Sequence, residues 1–514
     1  MVGDGQETEQ TKRDIVLHLR EGGLQRIPEI HRAYALLHYV LMFPRGEDGW
    51  YPFIPLHNNL PAYQEVDEIV SNQDEEIESK YVSAMNYFAY QLQIHNSREP
   101  VILHQFGRLF QQWIVNMYAI IEQMRLNYLK FNQQKLRTDL YSGLEDAMFA
   151  EDGSINTTNL GKRIILPSSF TGGPRQMIKL YQDGMAIVQT IGKLDLFITI
   201  ICNPNWPEIT NALLSGQSVQ DRPDLCTRVF NMKLKAILKE ILKEDIFGKV
   251  VGYLHTIKFQ KRGLPHAHVL IILAQENKPQ TVDDYDTIVC AEIPNKNSNP
   301  NTFETVKYSM MHGPCGIFMT NAPCMKDGKC SKGYPKHFQR STVINENGYP
   351  LYRRREDGQT IKVHGIELDN RWVVPYNPYL ITKYNCHINV EICSSIIAEQ
   401  AKGIDEIHLY LDARYVSASE ATWRLFHYWL YDRKPNVMQL QVHLPGHNIV
   451  TFRDDEHLKD VIKRCNPRYQ DNHVIGRIIT RMMNNIPNGI WINIQPMEEH
   501  LTEIIRKYII IIVQ

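Results

Sequence analysis

The chain has 514 residues, with 56 Lys and Arg against 57 Asp and Glu, and a net charge of −1. This balance excludes a uniformly basic nucleic-acid binder, so any contact with DNA would have to use local patches. The hydrophobic share of 43%, together with 29 glycines, is that of an ordinary globular protein and excludes a disordered or collagen-like chain. At about 150 residues per domain, the length predicts two to four domains.

Targeting signals are missing from the sequence pattern. The first residues, MVGDGQETEQ, are polar and acidic and lack the apolar core of a secretory signal peptide. No run of about 18 apolar residues predicts a membrane span. The nine cysteines are few for this length, and in a reducing compartment clustered cysteines bind metal more often than they pair.

The N-terminal part of the chain is predicted to be mainly helical. A polar lead-in and a turn-rich segment occupy residues 1–80. Residues 81–149 follow with a helical pattern, because apolar residues recur every three or four positions in FGRLFQQWIVNMYAIIEQMRLNYLKF. The recurring residues are Leu109, Trp113, Met117, Ile120, Ile121, Met124 and Leu126. This stripe predicts a helix face that is buried in a core.

The middle of the chain mixes strand and helix patterns. A short strand, RIILP, and a helix after PSSFTGGP precede LFITIIC (196–202), a β-branched run typical of a buried strand. An amphipathic helix is predicted at 223–247. KVVGYLHTIKF and HAHVLIIL then flank QKRGLP, which predicts two strands and a turn. With a further helix at 404–430 packed on the sheet and a possible C-terminal strand in KYIIIIVQ, the fold class is α+β, with LFITIIC beside HAHVLIIL in an antiparallel sheet.

His266 and His268 are two residues apart on a predicted strand. The period of two places both imidazoles on one face, about 7 Å apart along the backbone. Such a pair can chelate a divalent ion, and Gln260 on the preceding strand is a candidate oxygen ligand. The site suits Mg²⁺ or Mn²⁺ acting as a Lewis acid on a phosphate, with Lys261 and Arg262 beside that phosphate. The alternative is two ordinary histidines on a half-buried strand.

A second cluster of metal-binding residue types lies in HGPCGIFMTNAPCMKDGKCSKGYPKH. Cys315, Cys324 and Cys330 supply three thiolates, and one imidazole would complete a tetrahedral Zn²⁺ site. His312 is the preferred fourth ligand because it forms an H-x2-C pair with Cys315, while His337 remains an alternative. Free cysteines in a loop are the other interpretation of this segment.

A basic patch follows in Tyr352-Arg353-Arg354-Arg355. Arginine forks bind phosphate groups, and a neighbouring tyrosine can stack on a base, so Arg353, Arg354 and Arg355 are candidate DNA contacts. A solvated run of charges is the alternative. The sequence has no G-x-x-x-x-G-K-[ST] motif, so it predicts no P-loop ATP site.

Several long strings together resemble one family. They are FITIICNPNWPEI, FGKVVGYLHTIKFQKRGLPHAHVLIIL, MMHGPCG with APCMKDGKCSKGYP, DNRWVVPYNPYLITKYNCHINVEIC and LYLDARYVSASEATWRLF, with YVLMFPRGEDGW and GRLFQQWIVNMYAIIEQMRLNY upstream. They resemble the Helitron transposon Rep and helicase-like family, and the resemblance covers roughly residues 26–458. It implies an HUH-type endonuclease domain, in which a tyrosine attacks single-stranded DNA while a metal held by His266 and His268 polarises the phosphate.

The chain departs from that family in three ways. The family's tyrosine pair follows the NVEIC segment, whereas residues 393–409 contain no tyrosine, so the nucleophile helix is expected to be deleted. Lys258 stands where the family often has Glu, and a lysine there would repel a cation. The helicase of full elements is not recognised in the sequence. Tyr379 and Tyr384 are weak substitutes for the nucleophile and are expected to be structural.

The resemblance leads to one main hypothesis and two alternatives. The main hypothesis is a Rep-like protein of the rolling-circle transposition lineage, truncated, without its helicase or tyrosine nucleophile. The alternatives are an active metal-dependent HUH endonuclease with a displaced tyrosine, and a zinc-stabilised, non-catalytic DNA-binding protein. The expected partners are single-stranded DNA and transposon ends, without a membrane, and the expected location is the nucleus. The oligomeric state has no signal in the sequence.

The expected domain organisation follows from the same patterns. A lead-in and turn-rich segment (1–80) precedes the Rep or HUH domain (81–275), whose first part is helical. A Cys/His and basic loop region (276–380) and the C-terminal part of the Rep region (381–458) come next. Residues 459–514 form an unassigned tail.

Overall fold

The computed structural model describes residues 13–56, 81–95, 102–133, 136–140, 162–163, 170–259, 263–346, 348–393, 416–439, 449–453, 460 and 510–513. The chain divides into two compact units, the first comprising 1–122 with 191–434 and the second 123–190 with 435–514. None of the helices in these ranges is long and apolar enough to cross a membrane.

The helices of the described ranges are, in chain order, α1 (Tyr34–His38), α2 (Ala84–Gln91), α3 (Arg108–Gln133), α4 (Pro174–Ile191), α5 (Pro207–Thr210), α6 (Pro223–Lys243), α7 (Val282–Ile288), α8 (Pro300–Thr305), α9 (Pro378–Tyr384) and α10 (Ala418–Leu425). Short 3₁₀ turns lie at Ile102–Gln105, Val219–Asp221, Gln275–Asn277 and Asn370–Trp372, and one π turn lies at Val306–Met310.

The strands of the same ranges are β1 (Ile15–His18), β2 (Leu24–Ile27), β3 (Leu136–Leu140), β4 (Lys162–Arg163), β5 (Leu196–Ile201), β6 (Val250–Phe259), β7 (Pro265–Leu273), β8 (Met325–Lys326), β9 (Lys329–Cys330), β10 (Val343–Ile344), β11 (Pro350–Leu351), β12 (Ile361–Val363), β13 (Ile366–Leu368), β14 (His387–Ile392), β15 (Tyr431–Lys434), β16 (Asn436–Gln439), β17 (Ile449–Arg453) and β18 (Ile510–Val513).

A five-stranded antiparallel sheet forms the centre of the first unit. Its strand order is β14-β5-β7-β6-β15, so β7 is the middle strand. The predicted pairing of LFITIIC with HAHVLIIL is confirmed, because Leu196 pairs with Ile271 and Ile201 with His266. The predicted hairpin is confirmed as β6 and β7. The mixed helix-and-strand class is therefore correct.

One face of this sheet is buried in the main core. Along β5 and β7, alternate residues such as Ile198, Ile200, Ala267 and Val269 are buried, as a period of two requires. The apolar stripe of α6 packs on this face, and Trp423 of α10 joins the same core. The other face carries His266 and His268.

Three predicted elements differ from the observed ones. Within the predicted helical region 81–149, residues Leu136–Leu140 form a strand because they pair with β17, which lies far away in the sequence. The helix predicted at 223–247 ends at Lys243. The helix predicted at 404–430 begins after Ser417, whose hydroxyl accepts from the Glu420 N–H, and ends at Leu425. Residues 404–415 lie outside the described residues. His427 adopts a left-handed backbone conformation that ends such a helix.

Candidate functional site

A cavity of about 1080 Å³ lies on the polar face of the sheet. Its lining includes His266 and His268, whose side chains point away from the buried face. Another part of its wall includes Lys332 and Lys336 from the loop that follows Cys330, and a further part of the lining comes from Arg354. The sheet therefore brings the predicted histidine pair into a cavity with basic groups.

Cross-strand register fixes the surroundings of the two histidines. Thr199 on β5 and Thr256 on β6 lie on either side of His268, while Lys258 lies directly beside His266. The His266 and His268 rings are 5.0 Å apart, centroid to centroid, and nearly perpendicular. Since these three neighbours lie on the same face of the sheet as the histidines and only Lys258 is charged, the residue beside His266 decides the charge of the site.

Hydrogen bonding and stacking orient His268 more firmly than His266. The Nδ1 atom of His268 lies 3.2 Å from the Thr199 hydroxyl oxygen. Its ring stacks on Phe197 at 5.5 Å. By contrast, the buried Nδ1 of His266 has no hydrogen-bond partner among the described residues. His266, a residue of the cavity lining, therefore has a ring nitrogen that is not hydrogen-bonded within the described residues.

Both imidazoles are neutral at pH 7. Burial lowers the pKa of His266, and the positive charge of Lys258 lowers it further. For His268, burial, the neighbouring His266 and Lys258 together lower the pKa to about 4. Neutral imidazole is the form that ligates metals. The neutral imidazoles are therefore in the form that binds a metal. Part of the reason that they are neutral is the charge of Lys258, which repels a metal cation.

The residues around the histidine pair fit a divalent cation poorly. They offer two neutral nitrogen donors, and the described neighbour at the next cross-strand position is the ammonium of Lys258. Within the described residues, no group of three His, Cys, Asp or Glu ligands includes His266 or His268. The predicted ligand Gln260 and the predicted phosphate contacts Lys261 and Arg262 lie outside the described residues.

The Cys/His segment brings its predicted ligands together. His312, Cys315, Cys324 and Cys330 have ligand atoms that all lie within 4.8 Å of one another, close enough to hold one metal ion such as zinc. The Cys330 sulfur is 3.4 Å from His312 Nε2. The alternative ligand His337 does not belong to this group, and instead lines the cavity.

Local structure explains how four residues spread over the loop converge. The two-residue strands β8 and β9 form a hairpin that places Cys324 and Cys330 near each other, with the Ser331 N–H donating to the Cys324 carbonyl at 2.8 Å. The His312 N–H donates to the Trp372 carbonyl at 2.8 Å. Burial, with Lys336 and Lys332 nearby, lowers the pKa of His312, so its ring is neutral and able to ligate.

The two best-defined thiols differ in acidity. Burial and hydrogen bonding with Cys324 and Cys330 raise the pKa of Cys315 to about 12. Burial also opposes ionisation of Cys330, but backbone N–H groups of Tyr334 and Lys332 donate to its sulfur, so its pKa is lowered overall. A bound cation would deprotonate such thiols outright.

The side chains of the arginine triplet are engaged in contacts within the protein. Arg354 is only 4% exposed, and its Nη1 donates to the carbonyls of Asn370 and Val373 at 2.6 and 2.7 Å. Arg355 makes a two-pronged ion pair with Glu292. Arg353 lies 3.0 Å from an oxygen of Asp286. These contacts link the triplet to the surrounding loop region, and their part in DNA binding stays a prediction.

The substitute tyrosines have structural roles. Tyr384 is buried in the main core, and its hydroxyl donates to Glu240 at 2.6 Å. The Tyr379 hydroxyl accepts from Lys383 at 2.9 Å. Neither tyrosine lines the cavity that contains the histidine pair. Their exclusion as nucleophiles stays a prediction, which these contacts support.

Sequence reasoning missed the wall of the cavity. Lys332, Tyr334 and Lys336 belong to the string SKGYPKH, which directly follows the last cysteine of the cluster. Its alternation of lysine and aromatic residues was a usable signal for nucleic-acid contact. His387 and Glu391 on β14 also line the cavity, and only the strand pairing could show this.

These features define a class of protein. It is a mixed helix-and-strand protein whose antiparallel sheet presents a histidine pair to a cavity with a basic wall, beside a Cys/His cluster able to hold a metal ion. Residues 87–271 match the family model described as the Helitron helicase-like domain at the N-terminus. The match indicates, in general terms, a segment that interacts with DNA. A comparison with curated proteins found no match.

Proposed function

We propose that this chain is a Helitron Rep-like protein that binds single-stranded DNA in the cavity and does not cut it. The observation that carries the proposal is the position of Lys258 beside His266. The positive charge that a catalytic metal would supply to a phosphate is supplied here by an ammonium group. Binding to the DNA backbone then needs no divalent metal at the histidine pair, whereas activation of the phosphate for cleavage loses its Lewis acid.

The cavity wall supports binding of a polyanion. Lys332 and Lys336 face the cavity, and the buried guanidinium of Arg354 adds a fixed positive charge close to Lys336. Glu391 is the opposing charge in the lining. Lysine contacts to phosphate are sequence-independent and sensitive to salt. The proposal is therefore for binding through the backbone rather than recognition of a base sequence.

Aromatic residues in the same wall suit single strands rather than duplexes. Tyr334 and Tyr349 line the cavity, and Tyr349 is 37% exposed. Bases of a single strand can stack on such rings, while bases of a duplex are already stacked on each other.

The proposal extends to the fold and the domain organisation. Residues 81–275 would form the HUH-type Rep domain, with the histidine pair on the middle strand of the sheet, and 381–458 would complete it. Residues 276–380 would carry the zinc cluster and the cavity wall. Transposon ends are the proposed DNA partner and the nucleus the proposed location.

A second candidate function is cleavage by a displaced tyrosine, favoured by three tyrosines that line the cavity, Tyr334, Tyr349 and Tyr352. Burial raises the pKa of Tyr334 and Tyr352, which disfavours their nucleophilic form. The Tyr352 hydroxyl also accepts a hydrogen bond from the Ile392 N–H. The raised pKa of these two tyrosines and the hydrogen bond to Tyr352 make the first proposal the stronger one.

The proposal is tested by binding of a fluorescein-labelled single strand to the zinc-loaded chain, followed by anisotropy in a buffer without Mg²⁺ or Mn²⁺ and again with Mn²⁺. We expect equal affinity in both conditions. The double variant Lys332→Ala/Lys336→Ala should weaken binding about 10-fold and lower the salt dependence by roughly two phosphate contacts. Lys362→Ala, an exposed lysine outside the cavity lining, is the matched control. Binding that requires Mn²⁺, or that is unchanged in the double variant, would contradict the proposal.

A further inference from the structure

The Cys/His cluster lies directly beside the basic wall of the cavity. His312 is both a member of the cluster and part of the cavity lining. Lys332 lines the cavity only two residues after Cys330, another member. A change in the position of the cluster residues is therefore a change in the position of the wall.

Direct contacts join the wall to the cluster. The Tyr334 ring stacks on the His312 ring at 4.1 Å, with 12° between their planes. The Gly333 N–H donates to the Cys330 carbonyl at 2.9 Å. On its far side, the wall is attached by the Lys336 N–H, which donates to the Arg371 carbonyl at 3.0 Å. The wall is thus held by the cluster, by this backbone contact and by a side-chain hydrogen bond between Tyr334 and Arg354.

The loop that carries the cluster has a small core, and the cluster residues are part of it. Its buried apolar group consists of Cys315, Ala322, Leu368 and Trp372, and the partly buried residues packed against this group include Cys324, Cys330 and Tyr334. Strands β8 and β9 are two residues long, and Ile317 between the first two cysteines is 91% exposed. A loop with so small a core depends on a metal for its structure.

We propose that a metal ion held by His312, Cys315, Cys324 and Cys330 fixes the wall 331–337 over the histidine pair, and that removal of the metal releases this wall and weakens DNA binding. The inference rests on the proposed function for its DNA component. Its structural component, ordering of the wall by the metal, stands independently. The main sheet has its own core and stays folded when the metal leaves.

The test compares hydrogen exchange and DNA affinity in the zinc-loaded chain before and after treatment with a zinc chelator. Exchange should rise in 331–337 and stay low in the buried strand β7. Affinity for the labelled single strand should fall at least about 10-fold, as expected when two lysine contacts are lost. Cys324→Ser should reproduce both changes, whereas Cys393→Ser, outside the cluster, should reproduce neither.

The outcomes separate the inference from the proposed function. If the zinc-loaded chain does not bind DNA but its wall still loosens on chelation, the proposed function is wrong and the ordering role of the metal stands. If DNA binds equally well with and without zinc, or the chain takes up no zinc, the inference is wrong. Exchange that rises equally in β7 would also overturn it, because the metal would then hold the whole unit.

Discussion

The Cys/His cluster and the His266/His268 pair both offer metal-binding residue types, yet they differ in what surrounds them. In the cluster, three sulfurs and a neutral imidazole converge, and no lysine takes a ligand position. In the strand pair, two neutral imidazoles converge, but Lys258 occupies the neighbouring cross-strand position. The cluster therefore offers four ligands to one metal ion. At the histidine pair, Lys258 stands where a third ligand would be needed.

The contrast between the cluster and the pair shows that the spacing of ligands alone does not make a metal site. The charges around the ligands must also suit a cation. A single ammonium group on the neighbouring strand repels a divalent ion. The same ammonium favours a phosphate. A fold can therefore keep its histidine pair while its cavity changes from metal chemistry to anion binding.

Removing one ligand residue from the cluster and one from the histidine pair should give the largest difference between the two regions. Cys315→Ser should lose the metal and lower the free energy of local unfolding of the loop that carries the cluster by about 4 kcal/mol, as expected for loss of a structural metal. His266→Ala should leave metal content and the stability of this loop unchanged, because His266 is not part of a completed donor set. Metal content and hydrogen exchange in 312–337 measure both. Equal losses in the two variants would remove the distinction.

Reversing the charge at residue 258 should create a metal site at the histidine pair. Lys258→Glu replaces a cation with a carboxylate ligand beside His266, so Mn²⁺ affinity at the pair should rise about 100-fold. Lys258→Gln, which removes charge without adding a ligand, should give a smaller gain. Isothermal titration with Mn²⁺ measures the difference. An affinity that does not respond to either substitution would show that Lys258 does not control the site.

The histidine pair should also make stability depend on pH. The pKa of His268 is lowered from 6.5 to about 4, so between these values the unfolded chain binds more protons than the folded one. Stability is therefore fully present above pH 6.5 and is lost as pH falls towards 4, by about 2 kcal/mol after allowance for the partly exposed ring. His268→Gln should reduce this slope, and His18→Gln, at an exposed position, should not. Denaturant unfolding between pH 4 and 7 measures this slope. A free energy of unfolding that does not change with pH in this range would contradict the prediction.

The smallest expected effect concerns the orientation of His268. Thr199→Val removes the hydroxyl that lies 3.2 Å from His268 Nδ1 and should cost about 1 kcal/mol of unfolding free energy. Thr256→Val, on the other side of the same histidine, is the matched control. If the two variants are equally stable, Thr199 does not position the ring.

Sequence periodicity predicted the elements that are regular over a long stretch. The strands β5, β6 and β7 and the helix α6 follow from alternation and from helical spacing, which are local properties. The four cluster residues were also predictable, since they lie within one short segment that a single ion can gather. These are the parts of the structure in which neighbours in sequence are neighbours in space.

Features that depend on distant pairing could not be predicted in the same way. Strand β3 forms because it meets β17, and Arg355 is neutralised by Glu292, which is 63 residues away. The sequence showed a basic triplet but not the carboxylates that pair with it. It likewise showed a lysine near the histidines, while only the register of β6 and β7 places that lysine beside His266.

The most direct test of the account is a search for a covalent DNA adduct. Purified chain is incubated with labelled single-stranded DNA and Mn²⁺ and resolved on a denaturing gel, with His266→Ala in parallel. The account predicts no covalent band in either sample, together with clear binding of the same DNA under native conditions. A covalent band in the native chain that disappears in His266→Ala would show an active nuclease with a displaced nucleophile and would contradict the account.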